Sequence, residues 1–224
     1  MTDVRWGRLP ALGVALLVAC GGGDGGGGTG PCTPGVATQL VKSSGDPAAW
    51  YFDNPLPSPL SVTARDANNC AVPSVVVNWA VGSGGGAVNP AQSTTGTTGV
   101  ATTTDSIGST SPQTVTATFS GLPTPVTFTA TASAAPTTDD VSVNNNSFNP
   151  QQTVVKTGGT VTWTWNSGLT PHNVTYSSGP APLPANSPTQ AGGTTFSSTF
   201  TATGTYAYHC TLHSGMEGTV RVVH

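Results

Sequence analysis

The sequence predicts an all-β protein made of two β-sandwiches. Short runs rich in Thr, Val and Ala recur along the chain, 29 Gly and 19 Pro residues interrupt them, and only 7% of the residues are charged. β-branched side chains fit a pleated, half-buried surface, whereas Gly and Pro favour the turns between strands. A net charge of −3 with only six basic residues excludes a nucleic-acid-binding surface.

The first residues predict an export signal rather than a folded element. Arg5 and Arg8 precede an apolar run over 11–19. That run is too short to span a bilayer as a helix, but it is typical of a secretory signal peptide over residues 1–19. The Gly-rich segment 20–31 predicts a flexible tether.

Leu17-Val-Ala-Cys20 resembles the lipobox of bacterial lipoproteins. The resemblance implies a lipid on Cys20 and a membrane as a partner of the exported protein. Because no Asp follows Cys20, it further implies the outer membrane if the cell has two membranes. The alternative is an ordinary signal peptide cleaved after Ala19.

Export to an oxidising compartment changes the interpretation of the cysteines. If Cys20 carries lipid, three thiols remain and cannot all pair with one another. Cys32 and Cys70 lie in the first half of the chain, whereas Cys210 lies among residues that could bind a metal. We therefore expect a disulfide between Cys32 and Cys70.

Residues 32–134 predict the first sandwich, because short alternating segments are separated by turn residues. The predicted strands are 40–43, 50–52, 60–65, 75–81, 100–104, 114–119 and 126–132. Segments such as Ser61-Val-Thr-Ala-Arg-Asp-Ala-Asn-Asn and Val75-Val-Val-Asn-Trp-Ala-Val resemble bacterial immunoglobulin-like repeats of the invasin and intimin type. The resemblance implies a spacer or surface-display role. This half contains no histidine, and its aspartates are interpreted as turn and capping residues.

A short polar linker at 135–139 leads to a second, smaller sandwich over 140–224. Residues 154–165 predict two strands joined by a turn at Gly158-Gly159. Val161, Trp163 and Trp165 alternate with threonines and are expected to share one face of the second of these strands.

All four histidines occur in this second half, and Cys210-Thr-Leu-His213-Ser-Gly-Met216 places a thiolate, an imidazole and a thioether at intervals of three residues. His172 lies 38 positions before Cys210 (210 − 172) and supplies a second imidazole. Two imidazoles, one thiolate and a weak axial thioether are the ligands of a blue-copper electron-transfer site. We expect His209 and His224 not to be ligands. Zinc is the alternative metal, but methionine is a poor ligand for it.

Thr205-Tyr-Ala-Tyr-His-Cys-Thr-Leu-His-Ser-Gly-Met-Glu-Gly-Thr-Val resembles the copper loop of amicyanin and its plastocyanin relatives, and Pro171-His172-Asn173-Val174 resembles their upstream ligand motif. The resemblance implies a cupredoxin Greek-key sandwich that binds one type 1 copper ion. It also implies a hydrogen bond from Asn173 to the neighbourhood of Thr211 that holds the two ligand loops together. Leu212 departs from the family, which usually has proline there.

The sequence therefore predicts an electron carrier rather than an enzyme, tethered to a membrane and cycling Cu(II) and Cu(I). Redox protein partners are expected to dock near His213, where Leu212 and Met216 would form an apolar patch. The alternative functions are copper binding and delivery, or a surface module in which the immunoglobulin-like half matters most. Oxidase or nitrite reductase chemistry would need further histidines that the sequence lacks.

Overall fold

The computed structural model describes residues 32–224, so the signal peptide, Cys20 and the tether lie outside the described residues. Seventeen strands and no helix occur within this range, which confirms the predicted all-β class. Accordingly, no helix suited to crossing a membrane is found between Cys32 and His224.

The first nine strands form an N-terminal sandwich. They are β1 (Gln39–Ser44), β2 (Ala48–Tyr51), β3 (Leu60–Arg65), β4 (Val76–Ser83), β5 (Ala87–Asn89), β6 (Gln92–Thr94), β7 (Val100–Ser106), β8 (Gln113–Thr118) and β9 (Val126–Ser133). One sheet has the order β1-β3-β7-β5 and the other the order β2-β9-β8-β4-β6. The short strands β5 and β6 were not predicted from the sequence. Each has three residues, too few for an alternating pattern to stand out.

The remaining eight strands form a C-terminal sandwich. They are β10 (Thr138–Asn144), β11 (Ser147–Asn149), β12 (Gln152–Lys156), β13 (Thr160–Trp165), β14 (Thr175–Ser178), β15 (Thr195–Thr199), β16 (Gly204–His209) and β17 (Glu217–Val223). Its sheets have the orders β11-β10-β13-β15 and β12-β17-β16-β14. Strand β10 begins at Thr138, so it includes the last two residues of the predicted linker.

The turn at Gly158-Gly159 connects the two sheets of this sandwich instead of forming a hairpin. β12 pairs in parallel with β17, whereas β13 pairs in parallel with β10 and antiparallel with β15. Gly158 has a φ of 80°, a conformation that favours glycine. Both a hairpin turn and an inter-sheet connection can use such a glycine, so the local sequence does not distinguish them.

Each sandwich has its own hydrophobic core. In the N-terminal sandwich, Trp79 and Phe128 pack with ring centroids 5.9 Å apart. In the C-terminal sandwich, Val161, Trp163 and Trp165 are all buried on one face of β13, as the alternation predicts. Aromatic side chains bury large apolar areas, so this cluster is a major source of stability for the fold that carries the site described next.

Candidate metal centre

Three side chains with metal-binding atoms meet at one end of the C-terminal sandwich. Each of His172, Cys210 and His213 offers a ligand atom within 4.8 Å of the other two. His172 Nδ1 is 3.7 Å from Cys210 Sγ, and His213 Nδ1 is 3.5 Å from the same sulfur. Within residues 32–224 this is the one group of three or more His, Cys, Asp or Glu side chains close enough to share an ion.

The loop from Cys210 to Met216 is closed by its own backbone. The Cys210 N–H donates to the Met216 carbonyl at 2.9 Å, and the Met216 N–H donates to the His213 carbonyl at 3.3 Å. Gly215 has a φ of 78°, which favours glycine in the tight turn before Met216. Because β16 and β17 pair antiparallel on either side, the loop caps the end of a hairpin and keeps its side chains together.

His172 lies outside any named strand and is positioned by contacts that are distant in sequence. Its N–H donates to the Gln190 carbonyl at 2.8 Å, and the Gln190 N–H donates back at 2.9 Å. The indole N–H of buried Trp165 donates to the His172 carbonyl at 3.1 Å. The side chain of His172 is fully buried. Neither Trp165 nor Gln190 was predicted to position the site, because nothing local in the sequence indicates these contacts.

Burial lowers the pKa of His172, and the nearby His213 lowers it further. Both effects favour the neutral imidazole. A metal ligand must present an unprotonated nitrogen, so the environment prepares His172 for ligation.

Asn173 connects the two ligand loops. Its Nδ2 donates to Thr211 Oγ1 at 2.8 Å, and its Oδ1 accepts from the Thr211 N–H at 2.9 Å. Asn173 is only 9% exposed, whereas Thr211 is exposed, so both bonds are partly buried. These are the two residues that the family resemblance connects.

Buried aromatic residues of the core lie beneath the loop. Tyr208 lies two residues before Cys210, and its ring packs edge-on against Trp163 (5.3 Å between centroids) and Phe148 (4.8 Å). Burial raises the pKa of Tyr208 to about 12, which reflects the low polarity of this layer. Cys210, which belongs to the same core, is only 2% exposed.

The surface around the loop differs from the apolar patch of Leu212 and Met216 that the sequence predicts. Met216 is only 2% exposed and is part of the core, so the prediction that it contributes to an apolar surface is wrong. The thioether is covered because Met216, directly before β17, packs into the core. Leu212 is 49% exposed, and Leu169, which the sequence analysis did not single out, is 96% exposed in the turn before His172.

The other predicted residues lie away from this group. His209 ends β16 and is half-buried, and the backbone of His224 contacts Asn54, so neither histidine joins the cluster. Cys32 and Cys70 are joined by a disulfide in the N-terminal sandwich, and Cys210 is a free, buried thiol.

The donor set fits a bound metal ion. Metal bonds of about 2.0–2.3 Å to nitrogen and sulfur keep ligand atoms within about 4.5 Å of one another. The separations of the two Nδ1 atoms from the sulfur, 3.7 and 3.5 Å, satisfy this limit. Two imidazole nitrogens with one thiolate suit copper in both oxidation states.

Comparison with known proteins agrees with this chemistry. The family model of copper binding proteins, plastocyanin/azurin family, matches residues 137–223. Plastocyanin from Scenedesmus fuscus is 37% identical over 84 residues, which are 34% of this chain and 85% of that protein. The chain belongs to the plastocyanin/azurin family. Copper is thereby confirmed as its predicted cofactor, and the cupredoxin domain is the C-terminal sandwich.

Other proteins are also similar to part of this chain. Amicyanin-alpha from Methylorubrum extorquens is 38% identical over 84 residues, covering 37% of this chain and 70% of that protein. A solved structure of an oxidised amicyanin mutant is 33% identical, covers 40% of this chain and 85% of its own, and has a TM-score of 0.35. A purple cupredoxin from Nitrosopumilus maritimus is 28% identical, covers 37% and 97%, and has a TM-score of 0.34.

Proposed function

We propose that the protein is a membrane-tethered type 1 copper protein that carries single electrons between redox partners outside the cytoplasm. The observation that carries the proposal is the convergence of two imidazole Nδ1 atoms on the buried Cys210 sulfur. We assign His172, Cys210 and His213 as the strong ligands and Met216 as the weak axial ligand. When bound, copper supplies a one-electron couple between Cu(II) and Cu(I).

The chain's own contribution is to hold the ligands still. His172 is fixed from behind by Gln190 and Trp165, and the Cys210 loop is closed by backbone bonds. Asn173 joins the two loops. An electron-transfer site benefits from such rigidity, because little has to move between the two oxidation states.

His213 is the proposed point of electron entry and exit. It is half-buried, whereas His172 is fully buried, so only the ring of His213 comes near solvent. Exposed Leu212 beside it offers an apolar contact to a redox partner. Glu217 is the one charged residue between positions 205 and 220, so docking should depend only weakly on salt.

A copper titration of the full chain tests the ligand assignment. We expect one equivalent of Cu(II) to produce an intense blue absorption that a reductant removes reversibly. Cys210→Ser should abolish the colour, because the thiolate is lost. His209→Ala is the matched control: it removes a histidine next to Cys210 that lies outside the cluster, so the colour should persist. A colourless protein that passes Cu(I) to an acceptor would instead favour copper delivery.

The tether and the first sandwich complete the proposal. We infer that Cys20 is lipid-modified, which would hold the protein at a membrane, and that residues 32–134 are an immunoglobulin-like spacer. Mass spectrometry of the membrane fraction should detect a lipid on Cys20, and Cys20→Ser should release the protein into the soluble fraction. A protein cleaved after Ala19 with an unmodified cysteine would contradict the anchor without affecting the copper site.

A further inference from the structure

We propose that the N-terminal sandwich is docked rigidly on the C-terminal sandwich at the end opposite the candidate metal centre. The two sandwiches would then act as one body that leaves the metal face open to partners. Residues 32–224 form one compact unit.

The direction of β17 shows which end of the C-terminal sandwich is used. Glu217 begins the strand directly after Met216 of the metal loop, and Val223 ends it. At about 3.3 Å per residue, a strand of this length separates its ends by roughly 20 Å. His224, the next residue, contacts the N-terminal sandwich. The contact therefore lies a full strand away from the metal loop.

Asn54 makes the central contact. Its Oδ1 accepts from the His224 N–H at 2.9 Å, and its Nδ2 donates to the His224 carbonyl at 3.4 Å. The same Nδ2 donates to the Phe52 carbonyl at 2.6 Å. The Asn54 side chain is only 3% exposed. Separating the two segments would leave the buried Oδ1 of Asn54 without its donor, the His224 N–H, and an unpaired buried acceptor costs free energy. The contact therefore holds the two segments together.

A second contact lies beside it. The guanidinium carbon of Arg221, on β17, is 4.7 Å from the centre of the Trp50 ring, on β2. A cation over an indole face is attracted by the negative potential of the ring. This interaction joins the last strand of one sandwich to a strand of the other.

The connecting peptide is also restrained. Only residues 134–137 separate β9 from β10. The carbonyl of Pro136 accepts from the Lys156 N–H at 2.8 Å, and the carbonyl of Thr137 accepts from the Thr160 N–H at 3.0 Å. These bonds fix the second half of the linker to the C-terminal sandwich and leave residues 134–135 as the hinge that the docking contacts must hold.

The chain enters the N-terminal sandwich at its other end. Cys32 is bonded to Cys70, which follows the end of β3 at Arg65, whereas Asn54 precedes the start of β3 at Leu60. The entry point and the docking contact are thus separated by the length of β3, roughly 20 Å. If Cys20 is the anchor, an element that rests on the proposed function, the entry point of the chain and the metal loop each lie about one strand length from the docking contact.

Nitrogen-15 relaxation of the full chain without added metal tests the rigid docking, with Cys20→Ser to remove the lipid site. We expect one shared rotational correlation time for residues 32–134 and 140–224. The Asn54→Ala, Arg221→Ala double variant should lose this shared value and give two shorter ones. Its resonances from 209–217 should not move, because the contact is remote from the metal loop.

Two further variants keep the test decisive. Arg221→Ala alone leaves the Asn54 turn intact, so it reports on docking even if Asn54→Ala disturbs the first sandwich. Asn145→Ala, an exposed asparagine between β10 and β11, is the matched control and should retain the shared value. Separate correlation times in the parent chain, or a double variant that still tumbles as one body, would overturn the proposal. Neither the copper titration nor the lipid analysis bears on this result.

Discussion

Replacing Asn173 by alanine should loosen the metal centre without removing a ligand. The substitution breaks the bond from Nδ2 to Thr211 Oγ1 (2.8 Å) and the bond from the Thr211 N–H to Oδ1 (2.9 Å). A typical hydrogen bond contributes about 0.5–1.5 kcal/mol net, so the two bonds together are expected to contribute about 1–3 kcal/mol. Asn173 is 9% exposed but Thr211 is exposed, so water can partly replace the two bonds and the middle of this range is expected.

The free energy of unfolding should be measured by denaturant titration of the metal-free chain, followed through the buried tryptophans. Thr211→Ala removes only the bond to Oγ1 and leaves the backbone N–H bonded, so it should cost about half as much. Asn145→Ala is an exposed control and should change stability by no more than about 0.5 kcal/mol. Copper affinity of Asn173→Ala should fall by about 10–100-fold, the usual effect of losing a residue that orients the ligands.

An Asn173→Ala protein with the stability and copper affinity of the parent chain would refute this reasoning. A Thr211→Ala protein that loses as much stability as Asn173→Ala would also refute it, because the bond from the Thr211 N–H to Asn173 would then contribute nothing to stability. A loss of stability with unchanged copper affinity would mean that the bonds support the fold but do not orient the ligands.

Three further predictions concern the rest of the chain. Burial raises the pKa of Asp105 to about 6 from an ordinary 3.8, so its contribution to stability is full below about pH 3.8 and is lost as the pH rises through 6. Asp105→Asn should keep the bond from Gln113. It is therefore expected to raise the unfolding free energy at pH 8 by up to about 3 kcal/mol, and by much less at pH 4, in denaturant titrations at both pH values. Equal effects at the two pH values would contradict the raised pKa of Asp105. Trp163→Ala should cost about 3–5 kcal/mol by the same measurement, because the fully buried indole leaves a cavity, whereas Trp163→Phe should cost less. Cys32→Ser with Cys70→Ser should lower stability by about 4 kcal/mol, since the disulfide closes a separation of 38 residues; a peptide map of the parent chain that finds both thiols free would remove the basis for this value.

Some features of this protein could be predicted because their information is local. Alternation in Val161-Thr-Trp-Thr-Trp predicts one buried face whatever the neighbouring strands are, and the structure buries Val161, Trp163 and Trp165 together. The spacing of Cys210, His213 and Met216 confines three donors to one short loop. The composition indicated the all-β class, since each Thr or Val favours strand conformation locally and each Gly or Pro favours a turn.

Other features depend on contacts between distant parts of the chain, which local patterns do not encode. The same Gly158-Gly159 turn is compatible with a hairpin or with a change of sheet, and only the partners of β12 and β13 decide between them. The position of His172 is set by Gln190 and Trp165, and the burial of Met216 is set by the core beneath it. The contact between Asn54 and His224 joins residues 170 positions apart. By itself the sequence determined which residues could bind copper and which faces would be buried; the tertiary structure decided which distant segments meet, because that choice depends on the packing of the whole chain.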